Sequence, residues 1–270
     1  MTKRAFSVSL VPRHRKPSLV RPSVGGYGCG AGKGMTGDIR IGTSGFSYKE
    51  WVGGFYPAKL PGAKMLAYYA QRLPTVEINY TFRAMPKAAM LERWAAQVPA
   101  HFRFALKAPQ RITHFARLKG AGESLDYFIN VSDNVGATMG PALFQLPPDL
   151  KRDIALLSDF IAQIAGRIRA AFEFRNSSWF DDSVLETLRQ GGAALCIAES
   201  EKLSTPVERT APWVYVRLRK EGYDEPALRE WAERLQGFAD GGAETYAYFK
   251  HEDAAPQLAE RMRSVLKGAL

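Results

Sequence analysis

From Asp38 onward the chain repeats one unit: a short run rich in β-branched and aromatic residues, then an amphipathic stretch at helical spacing. The strand-like runs are Ile39–Thr43, Val76–Asn79, Arg103–Lys107, Ala142–Leu146, Ala170–Phe174, Ala194–Ile197, Val214–Leu218 and Thr245–Phe249. Helical stretches include Lys64–Arg72, Lys87–Gln97, Ser124–Asn134, Asp153–Ile164, Ser183–Gln190, Glu225–Phe238 and Ala255–Leu266. Pro86 and Pro226 stand where helices open, and Gly191-Gly192 and Gly241-Gly242 follow helix ends. Such alternation calls for crossover connections and therefore a parallel sheet. Eight strand-and-helix units in about 230 residues match a (β/α)8 barrel of the TIM type. An open doubly wound sheet is the rival, but no Gly-rich dinucleotide turn follows the first run. The expected fold class is α/β, a single (β/α)8 TIM-type barrel over residues 39–270.

Residues 1–38 read differently. They lack a sustained apolar period, are rich in Pro, Gly and Arg, and are expected to be a disordered basic extension. The run GCGAGKG (Gly28–Gly34) mimics a phosphate-cradling loop, yet no strand precedes it and no Ser or Thr follows Lys33. It reads as linker. Met35 offers a second start, which would make everything before it an upstream extension. The tail also carries most of the charge. The chain has 37 Lys and Arg against 27 Asp and Glu, for +10; seven of those bases and one acid lie in residues 1–38, leaving the barrel at +4. Nucleic-acid contact is therefore expected of the tail, if of any part, and not of the mildly basic barrel. No apolar run reaches the roughly 20 residues of a membrane helix, and the apolar core of a secretory peptide is absent. With two cysteines, Cys29 and Cys196, no disulfide framework or four-thiolate zinc site forms within one chain. A cytoplasmic setting is the simplest expectation.

A barrel turns alternate residues of each strand inward and builds its site at the strands' C-terminal ends. Applied here, that rule gathers Glu77 and Asn79, Lys107, Gln145, Glu173 and Arg175, and Arg217 at one end. Tyr215, Tyr246 and Tyr248 also face inward, with Lys250 or His251 beyond the last strand. Charged side chains are seldom buried unless paired, so their convergence is the main functional signal.

The residues also carry a resemblance. IGTSGFSYKEW (Ile41–Trp51) followed by FYP (Phe55–Pro57), VEINYTF (Val76–Phe82), FALKA (Phe104–Ala108), QLPP (Gln145–Pro148), FEFR (Phe172–Arg175) with Trp179, and YFKHED (Tyr248–Asp253) resemble the YecE-like family, domain of unknown function 72. The resemblance covers residues 39–268 and implies a TIM-type barrel. It implies no reaction. Arg83 departs from a Tyr common in such proteins, and Arg219-Lys220 from a common His-Gly pair. No role of that His carries over, and Arg219 makes the rim more basic.

The chemistry expected at this end is catalysis on a small anionic or sugar-like metabolite, by hydrolysis or isomerisation. Glu77 and Glu173 are the acid–base candidates, since neighbouring carboxylates in a cleft can have their pKa values driven apart. The alternative is that each is locked in a salt bridge. Lys107, in an apolar setting, either holds a substrate anion, the favoured reading, or acts desolvated as a Schiff-base nucleophile. Arg175 and Arg217 suit carboxylate or phosphate; Asn79, Gln145 and Tyr246 would orient the substrate. No dinucleotide or pyridoxal motif occurs, so no cofactor is expected. No metal is expected either: Glu77, Glu173 and His251 form only a weak ligand set without a histidine pair. Cys196 reads as a small core residue. A non-catalytic protein that associates with nucleic acid or senses a ligand is the contrasting expectation.

Overall fold

A computed structural model describes residues 36–268. The basic extension therefore lies outside the described residues, apart from its last three positions. Eight parallel strands close into a barrel in sequence order: β1 (Ile39–Ser44), β2 (Thr75–Ile78), β3 (Arg103–Lys107), β4 (Met139–Gln145), β5 (Ala170–Glu173), β6 (Ala194–Glu199), β7 (Trp213–Leu218) and β8 (Glu244–Phe249). Closure is made by β1 against β8, with Ile41 opposite Ala247. Gly42 lets β1 and β2 approach, because a Cβ there would lie 2.1 Å from the Thr75 carbonyl oxygen.

Around the barrel lie α1 (Met65–Arg72), α2 (Tyr80–Arg83), α3 (Ala88–Ala95), α4 (Gly122–Ser132), α5 (Ile154–Ile164), α6 (Asp182–Gln190), α7 (Glu225–Asp240) and α8 (Ala255–Leu266). Three of them start on aspartate caps: Asp153 accepts from Leu156 N–H, Asp181 from Ser183 N–H and Asp224 from Ala227 N–H. The expected alternation fails at one crossover. Residues 200–212, between β6 and β7, form no helix. Pro206 and Pro212 interrupt the segment, and it lacks an apolar stripe at helical spacing. Instead the chain doubles back on β6, with Thr205 N–H donating to the Ala198 carbonyl at 3.0 Å and a bridge joining Glu199 to Ser204. The two short helices α2 and α3 share the crossover from β2 to β3.

Outward-facing residues of the strands pack under the helices. A ladder of rings runs Phe144, Phe172, Phe174 and Trp179, with centroids 5.5, 6.3 and 4.7 Å apart. Inside, volume is divided unequally. Trp213, Tyr215, Tyr246 and Tyr248 of β7 and β8 fill the barrel against Ala105, Ala171, Ala194, Cys196 and Ala198 of β3, β5 and β6. Large side chains from one wall meet small ones from the other, so the interior is packed below a polar top. Cys196 is one of those small core residues, fully buried. No described helix is long and apolar enough to cross a membrane.

Candidate functional site

The last inward positions of six strands carry Ser44, Glu77, Lys107, Gln145, Glu173 and Arg217, none more than 7% exposed. Strand register sets them side by side, Ser44 opposite Glu77 on β1–β2 and Gln145 opposite Glu173 on β4–β5. Arg217 is the hub. One guanidinium nitrogen donates to Glu77 Oε1 at 2.8 Å, and the other donates to Glu173 Oε2. Glu77 further accepts from the Ser44 hydroxyl and, at 2.8 Å, from the Tyr215 hydroxyl. Asn79 Nδ2 donates to Ser44 Oγ at 2.7 Å, extending this chain to the rim. On the other side Arg175 Nε (3.1 Å) and an Arg219 guanidinium nitrogen (3.2 Å) both reach Glu173 Oε1. Lys107 Nζ donates to Gln145 Oε1 at 2.9 Å and sits 3.8 Å from the centroid of the half-buried Phe82 ring.

These contacts set the protonation states. Burial alone would raise both carboxylic acids, but Arg217, Ser44, Tyr215 and Lys107 hold Glu77 below its ordinary range. Against the same burial cost, Arg217, Arg175 and Arg219 hold Glu173 well below the ordinary carboxylate range. Both are ionised at neutral pH. Burial and then the Arg217 charge push Lys107 down to about 7, outweighing the pull of Glu77 and Glu173. Arg219 and Lys250 are lowered too, by burial and by their cationic neighbours. Three guanidiniums thus converge on two carboxylates, and two lysines add to the excess. Arg219 lines two cavities that open beside the hub: one of about 580 Å³ shared with Glu173, Glu201, Arg175 and Lys202, and one of about 480 Å³ shared with Tyr48, Lys250 and the acidic Glu221, Glu252 and Asp253. Its Nε is buried with no partner among the described residues.

Of the eight residues singled out from the sequence, seven meet here. Tyr246 does not, which corrects its expected place. It faces inward as anticipated, but it is the third residue of β8 and its hydroxyl bonds Glu244 Oε1 at 2.7 Å, near Arg169, at the barrel's opposite end. A phenol that low in the strand cannot reach the mouth. His251 stands apart from the carboxylates, edge-on to Tyr223 at 5.8 Å. Among the described residues no group of three His, Cys, Asp or Glu side chains is placed to hold a metal ion. Ser44, Tyr215 and Phe82 were not assigned to the site from sequence. For Ser44 and Tyr215 the signal was strand parity, since each lies two residues from, or directly beside, an assigned position; Phe82 comes from a helix, and nothing in the strand pattern points to it.

Eight closed parallel strands with charged side chains gathered at their C-terminal ends define a TIM-type barrel with its polar site at the usual mouth. Within that class the chain belongs to the DUF72 family: the family model described as "Protein of unknown function DUF72" matches residues 40–269. It is 30% identical over 156 residues to the UPF0759 protein YunF of Bacillus subtilis (strain 168), covering 55% of this chain and 54% of that protein. Over 155 residues it is 30% identical to the UPF0759 protein YecE of Escherichia coli (strain K12), again 54% of the relative. The matched region thus spans about half the length of these curated relatives. A DUF72 family protein of Thermotoga maritima MSB8 superposes with a TM-score of 0.74 at 23% identity, over 85% of this chain and 99% of that one. One of Enterococcus faecalis V583 gives 0.71 at 19%, over 85% and 95%. At such identities the likeness is one of fold.

Proposed function

We propose that the barrel mouth binds a small anionic or sugar-like metabolite and that the chain is an enzyme acting on it by proton transfer, as in an isomerisation or hydrolysis. One observation carries this reading: Arg175, Arg217 and Arg219 all converge on Glu173, and their charge exceeds that of the two buried carboxylates. Like charges packed this closely cost free energy that a bound anion would offset. Arg175 and Arg219 are partly exposed, at 32% and 20%, so their remaining N–H groups are available to a carboxylate or phosphate. Lys107 is the group suited to moving a proton, because an amine poised near neutrality serves as base and then acid. Glu77 and Glu173, both ionised and bridged by Arg217, anchor the guanidiniums and supply negative charge beside Lys107. Gln145 orients the amine, and Asn79 closes the Ser44 side of the site.

The test is a thermal-shift screen of the full chain against phosphate, small carboxylates and sugar phosphates. A ligand at about 100 times its Kd stabilises by about 2.7 kcal/mol. At least one small anion is expected to raise Tm, and Arg219→Ala to abolish the rise. A screen in which no anion shifts the wild-type chain would overturn the reading.

A further inference from the structure

Lys107 is the only buried lysine among the described residues, and it ends a barrel strand at the mouth. It forms no ion pair there: Glu77 and Glu173 give their oxygens to arginines, Ser44 and Tyr215, while Nζ holds only the Gln145 amide oxygen. The Phe82 ring centroid lies 3.8 Å from Nζ, and Lys107 is 7% exposed. An ammonium used merely to bind an anion would gain from exposure toward the ligand and from a carboxylate bonded directly to it. This lysine has neither: it is buried, its one hydrogen-bond acceptor is a neutral amide oxygen, and the nearby carboxylates are bonded to arginines. That is the environment that frees an amine lone pair for attack.

We propose that Lys107 is an imine-forming nucleophile and that the substrate is a small aldehyde or ketone bearing a carboxylate or phosphate. The anionic end of that substrate rests on the reading above, with Arg175 and Arg219 as its holders. Nζ attacks the carbonyl carbon, forming the C–N bond while the C=O π pair moves to oxygen. One amine proton passes to that oxygen to give the carbinolamine; the second follows as the C–O bond breaks, so that water leaves while the nitrogen lone pair closes C=N. Amine and carbonyl become imine and water, with no oxidant or reductant consumed. On protonation, the iminium nitrogen takes a positive charge beside ionised Glu77 and Glu173, which already favour the cationic form of this side chain. An iminium withdraws electrons from the adjacent carbon and so acidifies its C–H bond, a role that Lys107 takes in place of carrying the proton as a free amine.

The experiment is reductive trapping on the full chain at pH 7, with cyanoborohydride and either glyoxylate, an anionic aldehyde, or propanal, a neutral one. Modified lysines are then read by peptide mass spectrometry. Lys107 is expected to be labelled by glyoxylate about tenfold faster than exposed lysines. Labelling at that peptide should rise with pH through about 7 and then level off. Arg219→Ala is expected to slow glyoxylate and leave propanal unchanged. Labelling of exposed lysines with Lys107 left intact by both aldehydes would overturn imine formation and leave anion binding standing. Equal labelling of Lys107 by both aldehydes, unaffected by Arg219→Ala, would instead retain the nucleophile and overturn its anionic substrate class.

Discussion

The two ends of this barrel are each built from arginine and glutamate, and they handle charge in opposite ways. At the N-terminal end Arg40 and Arg169 share Glu244, Asp38 adds a second carboxylate to Arg40, and Tyr246 donates to the same glutamate. Cations and anions balance there, the Arg169 guanidinium lies 4.7 Å over the Trp213 ring, and Arg169 is 41% exposed. At the C-terminal mouth Arg217 and both carboxylates are fully buried, Arg175 and Arg219 are partly exposed, and the guanidiniums outnumber the carboxylates they pair with. A balanced, half-solvated network seals a barrel. An unbalanced, desolvated one raises its own free energy, and it is there that we propose a ligand binds.

The comparison breaks first at Arg217. Arg217→Met leaves buried Glu77 with no bonded cation and Glu173 with only the partly exposed Arg175 and Arg219, and is expected to cost about 3–5 kcal/mol in denaturant unfolding. An effect below about 1 kcal/mol would mean that the mouth is no more tightly coupled than the base. Next comes acid. The folded-state pKa of Glu173 is depressed, so its contribution is present above the ordinary carboxylate range and is lost as pH falls toward its lowered folded value. Glu173→Gln should therefore flatten the loss of stability in mild acid more than Glu244→Gln does, because Glu244 is depressed but only partly buried. In the alkaline direction Lys107 supplies the complementary signature. Its folded pKa near 7 lies below that of the unfolded chain, so the unfolded state binds more protons above pH 7 and stability rises with pH toward the ordinary lysine range. Lys107→Met should remove that slope, as followed by Tm from pH 7 to 10; a slope that persists would place the titrating group elsewhere. The smallest effect belongs to the base itself, where Glu244→Gln is expected to cost no more than about 1 kcal/mol because Glu244 and Arg169 are partly solvated.

Most of the fold was legible because period and punctuation agree. Eight β-rich runs, separated by amphipathic stretches with proline and glycine at their ends, leave few arrangements other than a closed barrel. The missing helix between β6 and β7 was not anticipated by that pattern, although Pro206 and Pro212 stand in the segment. The mouth was legible through strand parity, which located Glu77, Lys107, Gln145, Glu173 and Arg217 from alternation alone. Parity gives the side of a strand and not the height along it, so Tyr246 was assigned to the wrong end. Nor does it describe contacts across the ring. That one Arg217 bridges β2 and β5, that Arg219 from beyond β7 returns to Glu173, and that Phe82 lies against Lys107 all depend on barrel curvature and loop paths.

The most direct measurement is the titration of the Lys107 amine by NMR in protein with nitrogen-labelled lysine, without and with inorganic phosphate. An unmatched positive mouth predicts a Lys107 pKa near 7 in the free protein, moving upward when phosphate neutralises the surrounding arginines. A lysine that titrates in the ordinary range and does not respond to phosphate would contradict the account.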